Sequence, residues 1–156
     1  MTNNPWESFW ANAINHDWWK RPAPEVTDFI TSQSPIQRPK VLDLGCGLGR
    51  HAIAIAQEGF TVTATDPSKT AIDHLKQWAR SLDLSIEAKI GDTLDNSLPS
   101  DSFDIVLSYN VIYHGHREQF AMAIEHVRKL LKSGGLFLFT CPTRPVSYTH
   151  LRAHET

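Results

Sequence analysis

The fold is decided by residues 40–50, which read KVLDLGCGLGR. KVLDL is a short apolar run typical of a buried strand, and Gly45, Gly47 and Gly49 follow it at alternate positions. Residues 50–58, RHAIAIAQE, then place apolar side chains at helical spacing. We therefore predict a strand, a tight turn and a helix, and a backbone in the turn that comes very close to a neighbour.

Strands and helices continue to alternate after this turn. Apolar and polar residues alternate, as they do in peripheral strands, in residues 60–65 and 84–90. Continuous apolar runs, typical of buried strands, lie in residues 103–109 and 136–139. Apolar residues recur at helical spacing in residues 71–82 and 120–131. This pattern predicts an α/β fold, a doubly wound, Rossmann-like, mainly parallel sheet with the strand order 3-2-1-4-5. Nothing after residue 139 reads as a strand, so we expect the sheet to lack a final antiparallel strand pair. Residues 132–135, KSGG, are predicted to end the last helix.

The two ends of the chain differ from this core, which we place at residues 40–145. Residues 1–39 contain four tryptophans and several prolines, and they predict short helices and a linker that together form an aromatic lid. These aromatics either pack on the sheet or line a substrate pocket. Residues 146–156, VSYTHLRAHET, resemble one translated frame of a transposon-based sequencing adapter, so we interpret them as a non-native tail on a truncated chain.

Composition narrows the classes of function. The chain has 156 residues, enough for one domain, and a net charge of −2 that disfavours nucleic acid as a partner. No apolar run is long enough to cross a membrane and no leader is recognisable, so we expect a cytoplasmic protein. Cys46 and Cys141 have no metal-type spacing, which predicts reduced thiols and no metal site.

The spacing of the glycines bears on the ligand. A dinucleotide fingerprint requires its third glycine at position 50, where this chain has Arg50. Asp43, two residues before the first glycine, would repel a pyrophosphate and attract a cationic ligand. An NAD-dependent oxidoreductase is nevertheless an alternative, although it would need glycine in place of Arg50. Asp66 supports it, because an acid about twenty residues past the turn also binds ribose in NAD enzymes.

The segment DLGCGLG after a strand resembles motif I of the class I S-adenosylmethionine-dependent methyltransferases, and the similarity extends over about residues 40 to 140. Residues 47–72 are also similar to the tellurite-resistance-type and other small-molecule enzymes of this class. The resemblance implies S-adenosylmethionine as cofactor and the following cofactor-binding residues: Asp43, Gly45, Cys46, Gly47, Gly49, Asp66, Asp92, Thr93 and Tyr109.

Individual roles follow from that resemblance. Asp66 matches the acid that bonds both ribose hydroxyls, and Asp92 with Thr93 matches the adenine-contacting step. Each aspartate has a purely structural alternative: Asp66 as the start of a helix and Asp92 as a turn residue. Many enzymes of this class that methylate amide or base nitrogens have a proline-containing turn after the fourth strand. Residues 109–112, YNVI, stand at that position here and contain no proline, which favours a small-molecule acceptor.

The methyl group is expected to face the residues after the fourth strand. There His114 is our candidate for a general base, since an unperturbed imidazole titrates near neutrality. Alternatively His114 only caps or packs behind the strand, and with His116 it would need a third ligand to hold a metal. A third hypothesis is a non-catalytic cofactor-binding fragment. The acceptor and the oligomeric state are not predicted.

Overall fold

A computed structural model describes residues 4–112, 116–141 and 147–152 of the chain. The helices are α1 Pro5–Ala13, a short 3-10 helix Asp17–Lys20, α2 Pro24–Thr31, α3 Arg50–Gln57, α4 Lys69–Ser81 and α5 Arg117–Leu130. The strands are β1 Lys40–Leu44, β2 Thr61–Asp66, β3 Ile86–Ile90, β4 Phe103–Ser108, β5 Leu131–Cys141 and β6 Ser147–Arg152.

One sheet has the order β3-β2-β1-β4-β5-β6, and the first five of these strands are parallel. The predicted α/β architecture and the order 3-2-1-4-5 are therefore confirmed. The expectation that nothing pairs with the fifth strand is wrong, because β6 runs antiparallel to β5 and pairs from Cys141 with Ser147 to Leu136 with Arg152. This pairing gives the outer edge of β5 the backbone partners that an interior strand requires.

The sheet is covered on both faces, as crossover helices require. One core contains Val41, Ile105 and Leu138 with residues of α2, α3 and α4, and the other contains Leu42, Leu44 and Phe137 with residues of α5. β2 is buried on both faces although its threonines alternate with apolar residues, and it lies between β3 and β1 as the predicted order requires.

The last helix ends earlier than predicted. Leu131 already has an extended backbone, with φ −76° and ψ 139°, is buried, and pairs with Phe103 of β4. Residues 132–135 lie inside β5, where the register against β4 shifts between Phe103 and Ile105. The prediction that KSGG ends the helix is therefore wrong, since the burial of Leu131 draws the chain into the sheet first.

The N-terminal segment folds as short helices, as predicted. Asn4 caps α1 by accepting the N–H of Trp6 through Oδ1 at 3.1 Å, and proline begins both α1 and α2, where its missing N–H costs nothing. Val26 and Ile30 of α2 are buried in the same core as the sheet. This packing holds the segment beside the carboxyl ends of the parallel strands.

Candidate active site

The turn after β1 has three residues in the left-handed region that glycine tolerates. The φ angles of Gly45, Gly47 and Gly49 are 77°, 56° and 99°. The turn is tied to the neighbouring strand because the N–H groups of Gly45 and Cys46 both donate to the Thr65 carbonyl at 2.8 Å. Its conformation therefore depends on glycine and on the end of β2.

Each of these glycines also permits a different close approach. A Cβ on Gly45 would lie 2.5 Å from Cγ1 of Val111, and one on Gly47 would lie 2.5 Å from Cζ2 of Trp10. A Cβ on Gly49 would collide with the side chain of Leu75 in α4. The expected close approach is therefore present, and its partners within the chain are the segment after β4, α1 and α4.

Asp66 lies at the end of β2 and holds the turn from the other side. Its Oδ2 accepts the N–H of Gly47 and its Oδ1 accepts the N–H of Ser68, each at 2.9 Å. The residue is buried, and burial raises the pKa of its carboxyl above the usual value. Each carboxylate oxygen accepts one of these bonds and retains capacity for another donor. Asp66 therefore ties the glycine turn to the end of β2, while Ser68 and not Asp66 is the N-cap of α4.

Asp43 is a buried carboxyl that forms no salt bridge among the described residues, although the charge of Arg50 acts on it through space. It accepts a backbone N–H from Ala52 in the first turn of α3, while its Oδ2 has no hydrogen-bond partner in the described part of the chain. Burial, with a smaller contribution from the charge of Asp66, raises the pKa of Asp43 to about 7. A cation bound nearby would therefore favour its ionised form.

A cavity of about 770 Å³ opens at the carboxyl ends of β1, β2 and β4, next to the glycine turn. Seven of the residues that the sequence predicted for the cofactor line it: Gly45, Cys46, Gly47, Asp66, Asp92, Thr93 and Tyr109. Asp43 and Gly49 do not line the cavity. Asp92 also forms the turn that was its structural alternative, because its Oδ1 accepts the N–H of Leu94 at 2.8 Å.

The N-terminal segment covers the cavity with aromatic rings. The aromatic cover consists of Trp6, Phe9, Trp10 and Trp19, which all line the cavity. Phe9 and Trp10 meet edge to face with centroids 4.9 Å apart, and Trp10 meets Trp19 in the same way at 5.3 Å. Trp10 thus packs on Gly47 of the turn and also lines the cavity, and whether the cavity binds a substrate stays a prediction.

One end of the aromatic cover is anchored next to Asp66. Asn4 donates its Nδ2–H to the Pro67 carbonyl at 2.8 Å, and the Glu7 carboxylate accepts from the Ser68 hydroxyl and from the hydroxyl and N–H of Thr70. These bonds, the Thr70 hydroxyl first, hold the pKa of Glu7 below its usual value. Glu7 therefore secures α1 to the first turn of α4.

The other end is anchored to the start of α3 and to Tyr109. Arg50 donates to the Arg21 carbonyl at 3.1 Å, and the Tyr109 hydroxyl donates to the Glu25 carboxylate. The Ala23 N–H donates to Nε2 of His51 at 3.0 Å. No pattern in the sequence singles out Glu7 or Glu25, whereas Arg50 and His51 carry one signal, their position directly after the glycine turn.

His51 is unsuited to proton transfer at neutral pH. It is buried, and burial, aided by the charge of Arg50, lowers the pKa of His51 to about 3. Its Nε2 is already the acceptor of a backbone N–H. His51 is therefore a neutral anchoring residue.

The segment after β4 begins with a constrained residue. Asn110 has φ 58°, its N–H donates to Oγ1 of Thr140 at 2.7 Å, and the Thr140 hydroxyl donates back to Oδ1 at 2.9 Å. β5 thus fixes the direction in which the segment enters the cavity. His114, the predicted base, lies outside the described residues. Within the residues that are described, no cluster of metal-ligating side chains forms.

Comparisons with known proteins agree with this geometry. A methyltransferase domain family matches residues 41–135. The cypemycin N-terminal methyltransferase of a Streptomyces species is 32% identical over 129 residues, covering 81% of this chain and 51% of that protein. A ubiquinone biosynthesis O-methyltransferase of Rhizobium leguminosarum is 31% identical, covering 67% of this chain and 41% of that protein. The chain thus spans about half the length of these curated relatives.

Two solved structures share the fold. PH0226 from Pyrococcus horikoshii superposes with a TM-score of 0.67 at 26% identity, covering 83% of this chain and 65% of that one. TehB from Haemophilus influenzae superposes with a TM-score of 0.69 at 24% identity, covering 86% of this chain and 45% of that one. In the described residues, no helix has the length and apolar character that crossing a membrane requires.

Proposed function

We propose, from the premise that this chain belongs to the methyltransferase domain family, that the protein transfers a methyl group from S-adenosylmethionine to a small-molecule acceptor. The observation that carries the proposal is the cavity at the strand ends, bordered by the glycine turn and by the buried carboxylate of Asp66. In open α/β sheets this position, where the strand order reverses, is the usual ligand site.

The residues present suit this cofactor. The cavity volume of about 770 Å³ lies within the range of about 300–1,000 Å³ usual for small-molecule sites. Asp66 would accept from the ribose hydroxyls, and Asp92 and Thr93 would contact the adenine. Asp43, buried with one oxygen unpartnered in the described chain, suits a ligand with positive charge and no phosphate. Its contact with the cofactor and that of Gly49 stay predictions.

When bound, the cofactor supplies an electrophilic methyl group on a sulfonium. The chain's own contribution is to orient the reactants and exclude water. Gly45 and Gly47 let Val111 and Trp10 pack directly on the turn. The aromatic cover lines the cavity with apolar rings anchored at both ends. A neutral acceptor must also lose a proton. His51 cannot take it at neutral pH, so His114 stays the predicted base.

Several finer expectations belong to the same proposal. We interpret residues 1–39 as a lid and linker, residues 40–145 as the cofactor-binding core and residues 146–156 as the adapter-like tail. The tellurite-resistance-like type, a cytoplasmic location and the absence of nucleic-acid and membrane partners also stay predictions. The alternative is a fragment that binds the cofactor without catalysing methyl transfer. It stays an alternative because the chain spans only about half the length of the curated relatives.

The decisive experiment compares ligands by thermal unfolding and calorimetry. S-adenosylhomocysteine at a hundred times its dissociation constant should stabilise the fold by about 2.7 kcal/mol, whereas NAD should not. Asp66→Asn should weaken S-adenosylhomocysteine binding by about tenfold or more, because a carboxylate oxygen facing the diol is lost. Asp28→Asn, an exposed aspartate of α2, is the matched control. Stabilisation by NAD and not by S-adenosylhomocysteine would overturn the proposal in favour of an oxidoreductase.

A further inference from the structure

Residues 109–112 form a continuous side of the cavity, called here the β4 wall, and all four of them line it. The wall lies against the glycine turn, because a Cβ on Gly45 would lie 2.5 Å from Cγ1 of Val111. At its far end, Ile112 is buried in the core that contains residues of α5. The space between the turn and α5 therefore depends on the direction in which the chain leaves β4.

Asn110 sets that direction with a backbone conformation that few residues adopt. Its φ of 58° lies in the left-handed region. The other described non-glycine residues with a positive φ stand in the turns that lead into β1, β3 and β4: Arg38, Asp83 and Asp101. Since the strands are parallel, those turns lie at the sheet edge opposite to the cavity. Asn110 alone among these four residues lines the cavity.

Thr140 of β5 holds Asn110 in this conformation. The threonine is only 2% exposed, and its hydroxyl forms two bonds to the same residue. Oγ1 accepts the N–H of Asn110 at 2.7 Å and donates to Oδ1 of Asn110 at 2.9 Å. Glycine would adopt the same φ at less cost, so the backbone conformation alone does not require asparagine. The amide oxygen of asparagine is what closes the second bond of the pair.

We infer that Thr140 is a positioning residue of the methyl-transfer site. Acting through Asn110, its hydroxyl places the β4 wall against the glycine turn and fixes the space that cofactor and methyl acceptor share. The identity of these ligands rests on the proposed function. Thr140 does not itself line the cavity, so the inference includes no bond from it to a ligand. Such a role matters because misplacing reactants by about 1 Å can slow a reaction by about a hundredfold.

The position of the β4 wall is measured without any ligand. In NMR, a nuclear Overhauser contact between the Val111 methyl groups and the Gly45 α protons reports that the wall lies on the turn. Thr140→Val keeps the shape and removes the hydroxyl, so the contact should be lost, whereas Thr140→Ser keeps the hydroxyl and should retain it. Thr63→Val is the matched control. It removes another buried hydroxyl, which donates to Glu87 at 3.3 Å outside the cavity, and should retain the contact.

Calorimetry with S-adenosylhomocysteine measures the consequence for binding. Thr140→Val should weaken this ligand by about fivefold, the effect of one net hydrogen bond, and Thr140→Ser should bind it as the wild type does. Thr63→Val should also bind it unchanged, although thermal unfolding should show that this variant is less stable. A purely structural role of Thr140 predicts instead that Thr140→Val loses stability while the NMR contact and the affinity stay unchanged.

Two variants of Asn110 separate positioning of the wall from a direct contact with the ligand. The residue is exposed, so its replacement leaves the core intact, and these variants decide the inference if Thr140→Val does not fold. Asn110→Gly keeps access to the left-handed conformation, whereas Asn110→Ala disfavours it. Positioning through the backbone predicts that Asn110→Ala loses the contact between Val111 and Gly45, and more of the S-adenosylhomocysteine affinity than Asn110→Gly does.

The inference is overturned if folded Thr140→Val retains the contact between Val111 and Gly45, or loses it and still binds S-adenosylhomocysteine as the wild type does. Equal losses of affinity in Asn110→Gly and Asn110→Ala, with the contact intact in both, would also overturn it, because Asn110 would then contact the ligand directly. A wild type that does not bind S-adenosylhomocysteine would refute the proposed function instead. The NMR contact would still decide whether Thr140 positions the β4 wall.

Discussion

Replacing Asp43 with asparagine should change how the stability of the protein depends on pH. Asp43 is only 1% exposed, and its Oδ2 has no hydrogen-bond partner in the described part of the chain. Asparagine has nearly the same shape and can still accept the Ala52 N–H, but it carries no charge. The substitution therefore isolates the free energy of ionising a buried carboxyl beside Asp66.

The magnitude follows from the pKa of Asp43, which rises from 3.8 to about 7 on folding. Between these values the folded protein retains a proton that the unfolded chain has lost, so the stability of the wild type falls as pH rises. At about 1.36 kcal/mol per pKa unit, the loss between pH 4 and pH 8 amounts to about 4 kcal/mol. Asp43→Asn lacks this loss, and its stability should rise by that amount relative to the wild type.

Urea unfolding of both proteins at pH 4, 5, 6, 7 and 8 measures the difference directly, since the titration of groups that do not interact with Asp43 cancels between them. Asp28→Asn on the surface of α2 is the control and should track the wild type. A difference between wild type and Asp43→Asn that stays constant over this range would refute the reasoning. It would mean that water or relaxation of the chain solvates the carboxyl.

Three further perturbations address the turn, the cover and the sheet edge. Gly47→Ala should destabilise the fold more than Gly134→Ala, because both glycines have a positive φ but only at Gly47 would a Cβ meet a neighbour, Trp10. Urea unfolding measures this difference, and equal midpoints for the two variants would contradict it. The lowered pKa of Glu7 implies that its contacts stabilise the fold above pH 4.5, and that this stabilisation is lost as pH falls through that pKa. Glu7→Gln should remove this contribution, which an acid titration followed by tryptophan fluorescence measures. An unchanged acid transition would count against Glu7 as an anchor of α1. Ending the chain at residue 145 removes β6 and should leave the backbone edge of β5 without a partner strand. Light scattering should then detect aggregates whose amount rises with protein concentration. A monodisperse product would show that β6 is dispensable.

Most of the sheet could be predicted because its strands carry local signals. β1 has the predicted bounds, and the alternation of strands with helices is sufficient for the order 3-2-1-4-5. The burial of β2 on both faces is not visible in its pattern, because threonine counts as polar there, whereas Thr63 and Thr65 are small enough to be buried under helices. The pairing of β6 and the early end of α5 depend on contacts across the sheet, which no local pattern contains.

The site divides in the same way. Gly45, Gly47 and Asp66 belong to a local motif, and all three line the cavity. Glu7 and Glu25 lie in the N-terminal segment, and they reach their hydrogen-bond partners only when that segment folds over the strand ends. Their role depends on contacts between residues more than 60 positions apart, such as Glu7 with Ser68, so periodicity could not reveal it.

The distribution of charges shows where the fold gives up stability. The salt bridges among the described residues, such as those of Lys69 with Asp73 and Arg128 with Glu125, lie on the surface and contribute little. Desolvation instead affects Asp66 and Arg50, which line the cavity, and Asp43, which is buried two residues before the first glycine of the turn. Burial shifts the pKa of each towards its neutral form. A chain selected for stability alone would remove such charges, whereas a binding site retains them. A ligand with a positive centre facing the strand ends would offset the cost of burying the carboxyls of Asp43 and Asp66.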